Sequence, residues 1–79
     1  MSSAIKQDIS IGMNLQIMRR RAGLTQNAAS AQMEVMGLPM SADILAKMEQ
    51  GRYSIRVSVL LAMKQIYKVE SFDEFFVGL

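Results

Sequence analysis

The stretch Leu24-Thr25-Gln26-Asn27-Ala28-Ala29, continuing through Gly37-Leu38-Pro39-Met40-Ser41-Ala42 to Lys47-Met48-Glu49-Gln50-Gly51-Arg52, decides the fold. Thr25 can cap a helix, because its hydroxyl accepts an orphan amide of the opening turn. That helix runs from Gln26 to about Met36 and stops at Gly37, which tolerates the left-handed backbone of a C-terminal cap. Pro39 disfavours a helical Leu38 and has no amide of its own, so the chain turns here. Ser41 can cap a further helix over Ala42 to Gln50, closed by Gly51.

Working outward, Ile11, Leu15, Met18 and Ala22 fall at i, i+4, i+7 and i+11, one face of a helix that ends at Gly23. Met13 and Ile17 widen that stripe, and Asp8 or Ser10 can cap it. Arg19-Arg20-Arg21 places three cations in its last turn, where they complement the negative end of the helix dipole. The second helix offers Ala28, Ala29 and Ala31 for close approach, with Gln32, Met33 and Met36. In the third, Leu45 and Met48 face inward, and Leu38 and Met40 pack the approach to it. Arg52 to Arg56 reads as a loop. Val59, Leu60, Met63, Ile66 and Tyr67 form a second apolar stripe with Val57 and Leu61 beside it. Ser71-Phe72-Asp73-Glu74 is a capping box that opens a short last helix carrying Phe72, Phe75 and Phe76. No alternating pattern persists, so no strand is expected. The expectation is an all-α domain of five helices at about 9–22, 26–36, 42–50, 57–68 and 72–77, preceded by a short mobile arm over 1–8.

Composition narrows the chemistry. Seventy-nine residues make one domain, near the small end of what folds without a disulfide or a metal. There is no cysteine and no histidine. That removes the thiolate, the commonest metal ligand and the usual general base near neutral pH. Asp73 and Glu74 are adjacent rather than facing and belong to a cap. No metal-ligand spacing and no phosphate-cradling glycine loop is present, so neither an enzyme nor a cofactor or metal site is expected. No apolar run reaches the length needed to span a bilayer. The beginning of the chain has no basic-then-apolar leader, which sets an expectation of an intracellular protein. The net charge of +2 fits nucleic-acid binding only weakly, so placement of the cations matters more than their sum. The eight methionines suit either an irregular core or an adaptable interaction surface.

Two capped helices around a glycine-containing turn are the outline of a helix-turn-helix. Gly23-Leu24-Thr25-Gln26, followed downstream by Met48-Glu49-Gln50-Gly51-Arg52, resembles the pattern of the Cro/phage-repressor (XRE-type) helix-turn-helix proteins over roughly Ile9 to Phe76. The turn is about five residues longer than the common form, as in a longer-turn variant of that family. The resemblance implies a lambda-repressor-like DNA-binding domain of five helices, in a cytoplasmic protein of bacterial or phage origin. It implies a structural pair between Arg19 and Glu49. It also implies base contacts from Ala42, Asp43, Ile44 and Lys47 in the major groove of double-stranded DNA. Lys47 can donate to guanine O6 and N7, Asp43 can accept from cytosine N4, and Ala42 and Ile44 can touch a thymine methyl. Asp43 can equally do no more than favour the helix N-terminus.

Phosphate contacts are expected from the start of the second helix, Thr25, Gln26 and Asn27, and from Arg52, Tyr53, Ser54 and Arg56 in the loop after the third. An ordinary exposed polar loop has the same composition. Family members commonly pair to read two half-sites. Val57, Leu61, Phe75, Phe76, Val77 and Leu79 are the candidate homodimer contact, although the phenylalanines can instead close the core. The function this implies is a sequence-specific DNA-binding transcriptional regulator, a repressor. The alternative is a helical protein-interaction module of antitoxin or phage-control type, with a protein partner and weak or no base readout.

Overall fold

The computed structural model describes residues 4–5 and 10–79. Among them are four α-helices: α1 (Gly12–Arg21), α2 (Gln26–Val35), α3 (Ala42–Glu49) and α4 (Val57–Ile66). A 3-10 turn over Phe72–Phe76 follows α4, and a two-strand ribbon pairs β1 (Ala4–Ile5) antiparallel with β2 (Ile55–Arg56). Helix α3 packs between α1 and α2, α4 packs on α2, and the 3-10 turn lies against α1.

Several of the sequence expectations need correction, three of them in the elements themselves. The fifth helix is a 3-10 turn: Ser71 Oγ accepts from the Asp73 amide, and Glu74 Oε2 accepts from the amides of Glu70 and Ser71. Gly78 then turns the chain at φ +85°, so the box closes a single turn, too short to propagate an α-helix. The first helix begins at Gly12, not near residue 9, because Ser10 and Ile11 are not helical. Ser10 Oγ accepts from the Gly12 amide at 3.0 Å, whereas Asp8 lies outside the described residues. The third correction is the ribbon itself: Ile5 pairs with Ile55 and Ala4 with Arg56, inside the expected arm and loop. Two-residue strands are too short to show alternation in a sequence; the expected mobility of the rest of the arm falls outside the described residues.

All four helices end in the same way. The residue after each C-cap (Gly23, Gly37, Gly51 and Lys68) has positive φ, and its amide and the next one bond back to the last turn. This is the Schellman arrangement. In α4 it is built on Lys68, at φ 56°, with Val69 donating to the Lys64 carbonyl and burying its own side chain. The helix therefore stops at Ile66 rather than 68.

The core is filled by Leu15, Met33, Leu45, Met48, Ile55, Met63, Tyr67 and Phe75, all fully buried. Apart from Tyr67, whose hydroxyl offsets part of the gain, each such side chain contributes roughly 1.5–3 kcal/mol through burial. Met18, Met33, Met40, Met48 and Met63 are all interior, so most of the methionine is core filler. Met13 and Ile17, expected to widen the α1 stripe, are exposed instead, and the inner face of α1 is completed by Arg19, one turn beyond Leu15. The Tyr67 hydroxyl is buried without a hydrogen-bond partner among the described residues. Burial raises its pKa, and the nearby Glu49 carboxylate raises it further.

Two close approaches lock α1 onto α3. A Cβ at Gly12 would overlap the Glu49 carbonyl and lie 2.9 Å from that of Met48, and one at Gly51 would lie 2.5 Å from Ser10 Oγ. At the other end of α1, its last turn makes a buried ion pair with Glu49. Arg19 Nε donates to Glu49 Oε2 at 2.6 Å and Arg19 Nη2 to Glu49 Oε1 at 3.0 Å, with side chains 7% and 2% exposed. Arg19 Nη1 also donates to the Leu24 carbonyl at 2.8 Å, and Gln26 Nε2 donates to Glu49 Oε1 at 3.2 Å. The hydrogen bond to Glu49 raises the Arg19 pKa against the opposing effect of burial.

Three outcomes follow for chemical denaturation. Gly12→Ala separates α1 from the end of α3 and destabilises the protein by about 1–3 kcal/mol, the usual cost of overpacking. An unchanged midpoint would mean that the crossing is looser than described. Glu49→Ala strands the Arg19 cation and costs about 3 kcal/mol; a melting curve equal to wild type would show the pair contributing nothing. Lys68→Gly relieves a left-handed non-glycine residue and stabilises by up to about 1 kcal/mol, after its own unfolded-state entropy is counted. A lowered midpoint would contradict that reading.

Candidate nucleic-acid interface

Helix α3 divides into two sides. Ser41 Oγ caps it by accepting from the Ile44 amide at 3.1 Å. Leu45, Met48 and Glu49 turn inward and are buried. The outer side carries Asp43, Lys47 and Gln50, with half-buried Ala42 and Ala46 between them. Lys47 Nζ lies 3.2 Å from Asp43 Oδ2, one helical turn apart, with side chains 43% and 77% exposed. Of the four residues expected to face a groove, Ala42, Asp43 and Lys47 share this outer side. Ile44 sits on the inner shoulder: it packs against the core and lines a cleft of about 270 Å³ with Met48, Tyr53 and Val59. Ala46 and Gln50 were not anticipated, yet the helical period places both beside Lys47, Ala46 at i+3 from Asp43 and Gln50 at i+3 from Lys47.

The residues expected to touch phosphate fall into two groups. At the start of α2, Thr25 Oγ1 is engaged as a cap, accepting from the Ala28 amide at 3.0 Å. Asn27 is exposed, and its carbonyl accepts from Ser30 Oγ. Gln26 is half-buried, with its amide nitrogen on Glu49, so the N-terminus of α2 is tied to the C-terminal end of α3. That bond occupies one of the two amide hydrogens and leaves the other, with the side-chain oxygen, for a further partner.

After α3, the Arg52 amide donates to the Lys47 carbonyl at 2.8 Å, and Arg52 Nη1 donates to Gln50 Oε1 at 3.1 Å. Arg52, Tyr53, Ser54 and Arg56 together surround one surface hollow. Arg56 precedes α4, whose first turn has no side-chain cap. Among the described residues, neither Arg52 nor Arg56 pairs with a carboxylate. The cations of this loop and the outer side of α3 are therefore joined by a short, hydrogen-bonded run of chain.

The residues expected at a homodimer contact do not form one set. Phe75 is fully buried and belongs to the core, which corrects its placement on a surface. Phe76, Val77 and Leu79 are exposed in the tail, and Val57 and Leu61 are exposed on α4. Asn14 Nδ2 donates to the carbonyls of Phe75 and Val77, both at 2.9 Å, fastening the tail to α1, where Met13 and Ile17 are also exposed. The tail of the chain thus adds its apolar side chains to α1.

Among the described residues no group of three or more acidic, histidine or cysteine side chains could hold a metal ion. No helix there is long and apolar enough to cross a membrane.

Comparison with curated proteins and with solved structures produced no match. The family described as the helix-turn-helix domain matches residues 10–74, from the residue that packs on Gly51 to the capping box after α4. With α2 and α3 joined through the extended break between Val35 and Ala42 and α3 held by its inner face, this all-α chain belongs to the helix-turn-helix domain family, a family of the Cro/XRE kind.

Proposed function

We propose that this protein is a sequence-specific double-stranded DNA-binding transcriptional regulator, a repressor that acts as a homodimer in the cytoplasm of a bacterium or a phage-infected cell. Helix α3 enters the major groove with Asp43, Lys47 and the flanking alanines toward the bases. Gln26, Asn27 and the loop carrying Arg52, Tyr53, Ser54 and Arg56 grip the backbone on either side. The observation that carries this reading is the two-sidedness of α3: its inner face is anchored by Leu45, Met48 and the Arg19–Glu49 pair, while Asp43 and Lys47 stay open to solvent. Gln26 and Arg52 are both fastened to the last turn of that helix. Thr25 has its hydroxyl in the cap and offers its side chain to phosphate less readily than Gln26. A two-fold pair of such modules reads half-sites about 34 Å apart, one turn of the duplex.

A second reading, a protein-interaction module of the antitoxin or phage-control type, is favoured by the exposed Met13, Ile17, Val77 and Leu79 and by the carboxylate that offsets Lys47. The two are separated by a gel shift on random duplexes run beside a pull-down. A protein partner without any DNA shift selects the module.

For the DNA-binding reading, affinity falls with salt, each neutralised phosphate contributing about −0.9 to the slope of log K against log salt. Arg52→Ala lowers the magnitude of that slope by about 1 and weakens all sequences alike, while Lys47→Ala changes which sequences are preferred. Retention on duplex DNA that is indifferent to salt would refute the proposal.

A further inference from the structure

Asp43 stands in the first turn of α3, where the helix dipole favours an acid, but its contact with the lysine one turn on is not explained by that or by backbone binding. A carboxylate set beside Lys47 repels a phosphate lattice and cancels the lysine's contribution to general affinity. An exposed pair one helical turn apart also adds little to stability. Yet Asp43 Oδ2 and Lys47 Nζ are 3.2 Å apart on the outer side of the helix.

We infer that Asp43 and Lys47 act together as one specificity-determining unit that reads a single G·C base pair; this rests on the DNA-binding function proposed above. The pair can persist while it reads. An ammonium has three N–H donors and spends one on Asp43; a carboxylate has about four acceptor sites and spends one on Lys47. In the major groove a G·C pair presents two adjacent acceptors, guanine N7 and O6, and then a donor, cytosine N4. Lys47 meets the two acceptors and Asp43 meets the donor. An A·T pair presents an acceptor, a donor and an acceptor in the same order, followed by the thymine methyl. There the ammonium loses one acceptor to the adenine amino group, and the carboxylate faces thymine O4. The discrimination therefore comes from repulsion as well as attraction. Ala42 and Ala46 keep the neighbouring outer positions short, so the helix backbone can come close enough for both charged groups to reach one base pair. Arg52, whose guanidinium lies on Gln50, supplies positive charge at the other end of the same side without competing for Asp43.

The experiment is selection from a random duplex pool with the full chain, its Asp43→Ala and Lys47→Ala variants and the double variant, with circular dichroism to verify that all four are folded. The wild type is expected to recover a half-site with G·C at one position. In competition against the same duplex carrying A·T there, it should discriminate by about tenfold or more, the scale of one well-placed set of base contacts. Each single variant should lose that preference at the same position, and the double variant should lose no more than either one, as for two residues in one coupled unit. The inference is overturned if Asp43→Ala binds every sequence more tightly with its G·C preference intact, or if the two variants lose preference at different positions. Retention of the wild type without a G·C position defeats this inference alone. Failure to retain any of the pool defeats the DNA-binding function and this inference with it.

Discussion

The bidentate contact between Arg19 and Glu49 is the constraint on which the arrangement of this protein depends. Both side chains are withdrawn from water, so each needs the other, and both need their remaining hydrogen-bonding capacity filled. The Leu24 carbonyl takes a third donor of Arg19, and the Gln26 amide donates to Glu49 Oε1. One pair of charges therefore specifies where the end of α1, the start of α2 and the end of α3 sit relative to one another. Replacing it with apolar groups of similar size could match its contribution to stability. It would not reproduce the geometry, because only directional bonds tie Gln26 to the last turn of α3.

That geometry is reinforced by backbone contact. Gly12 allows α1 to begin directly on the carbonyls of Met48 and Glu49, and Ser10 sits against Gly51. The eight-residue α3 has its C-terminal end clamped by distant residues and its first turn capped locally by Ser41. A helix this short would not persist alone in water. The apolar inner face supplies the stability, and the ion pair supplies the orientation in which the outer face is presented.

Much of the fold was legible from residue order. Caps at Thr25, Ser41 and Ser71, and the stops at Gly23, Gly37 and Gly51, are local in origin: a side chain bonding an amide two or three residues on, or a backbone angle that glycine adopts freely. The apolar stripes of α1 and α4 located most of the core for the same reason. The errors came where local rules lack information. Lys68 ends α4 in the left-handed region without a glycine to announce it. The two-residue ribbon between Ala4–Ile5 and Ile55–Arg56 joins segments distant in the chain. The last segment has helical residues and a capping box, but too little length for an α-helix.

The candidate interface divides along the same line. Sequence alone determined the identity and spacing of Asp43 and Lys47, the capped start of α3 and the cluster of donors from Arg52 to Arg56, since these follow from covalent order and helical period. Only the tertiary structure decided that Ile44 turns inward, that Gln26 is bound to Glu49, and that Phe75 is interior while Met13 and Ile17 are not. Each of those outcomes is set by which distant element covers a given side of a helix, and burial of that kind is a property of packed surfaces rather than of neighbouring residues.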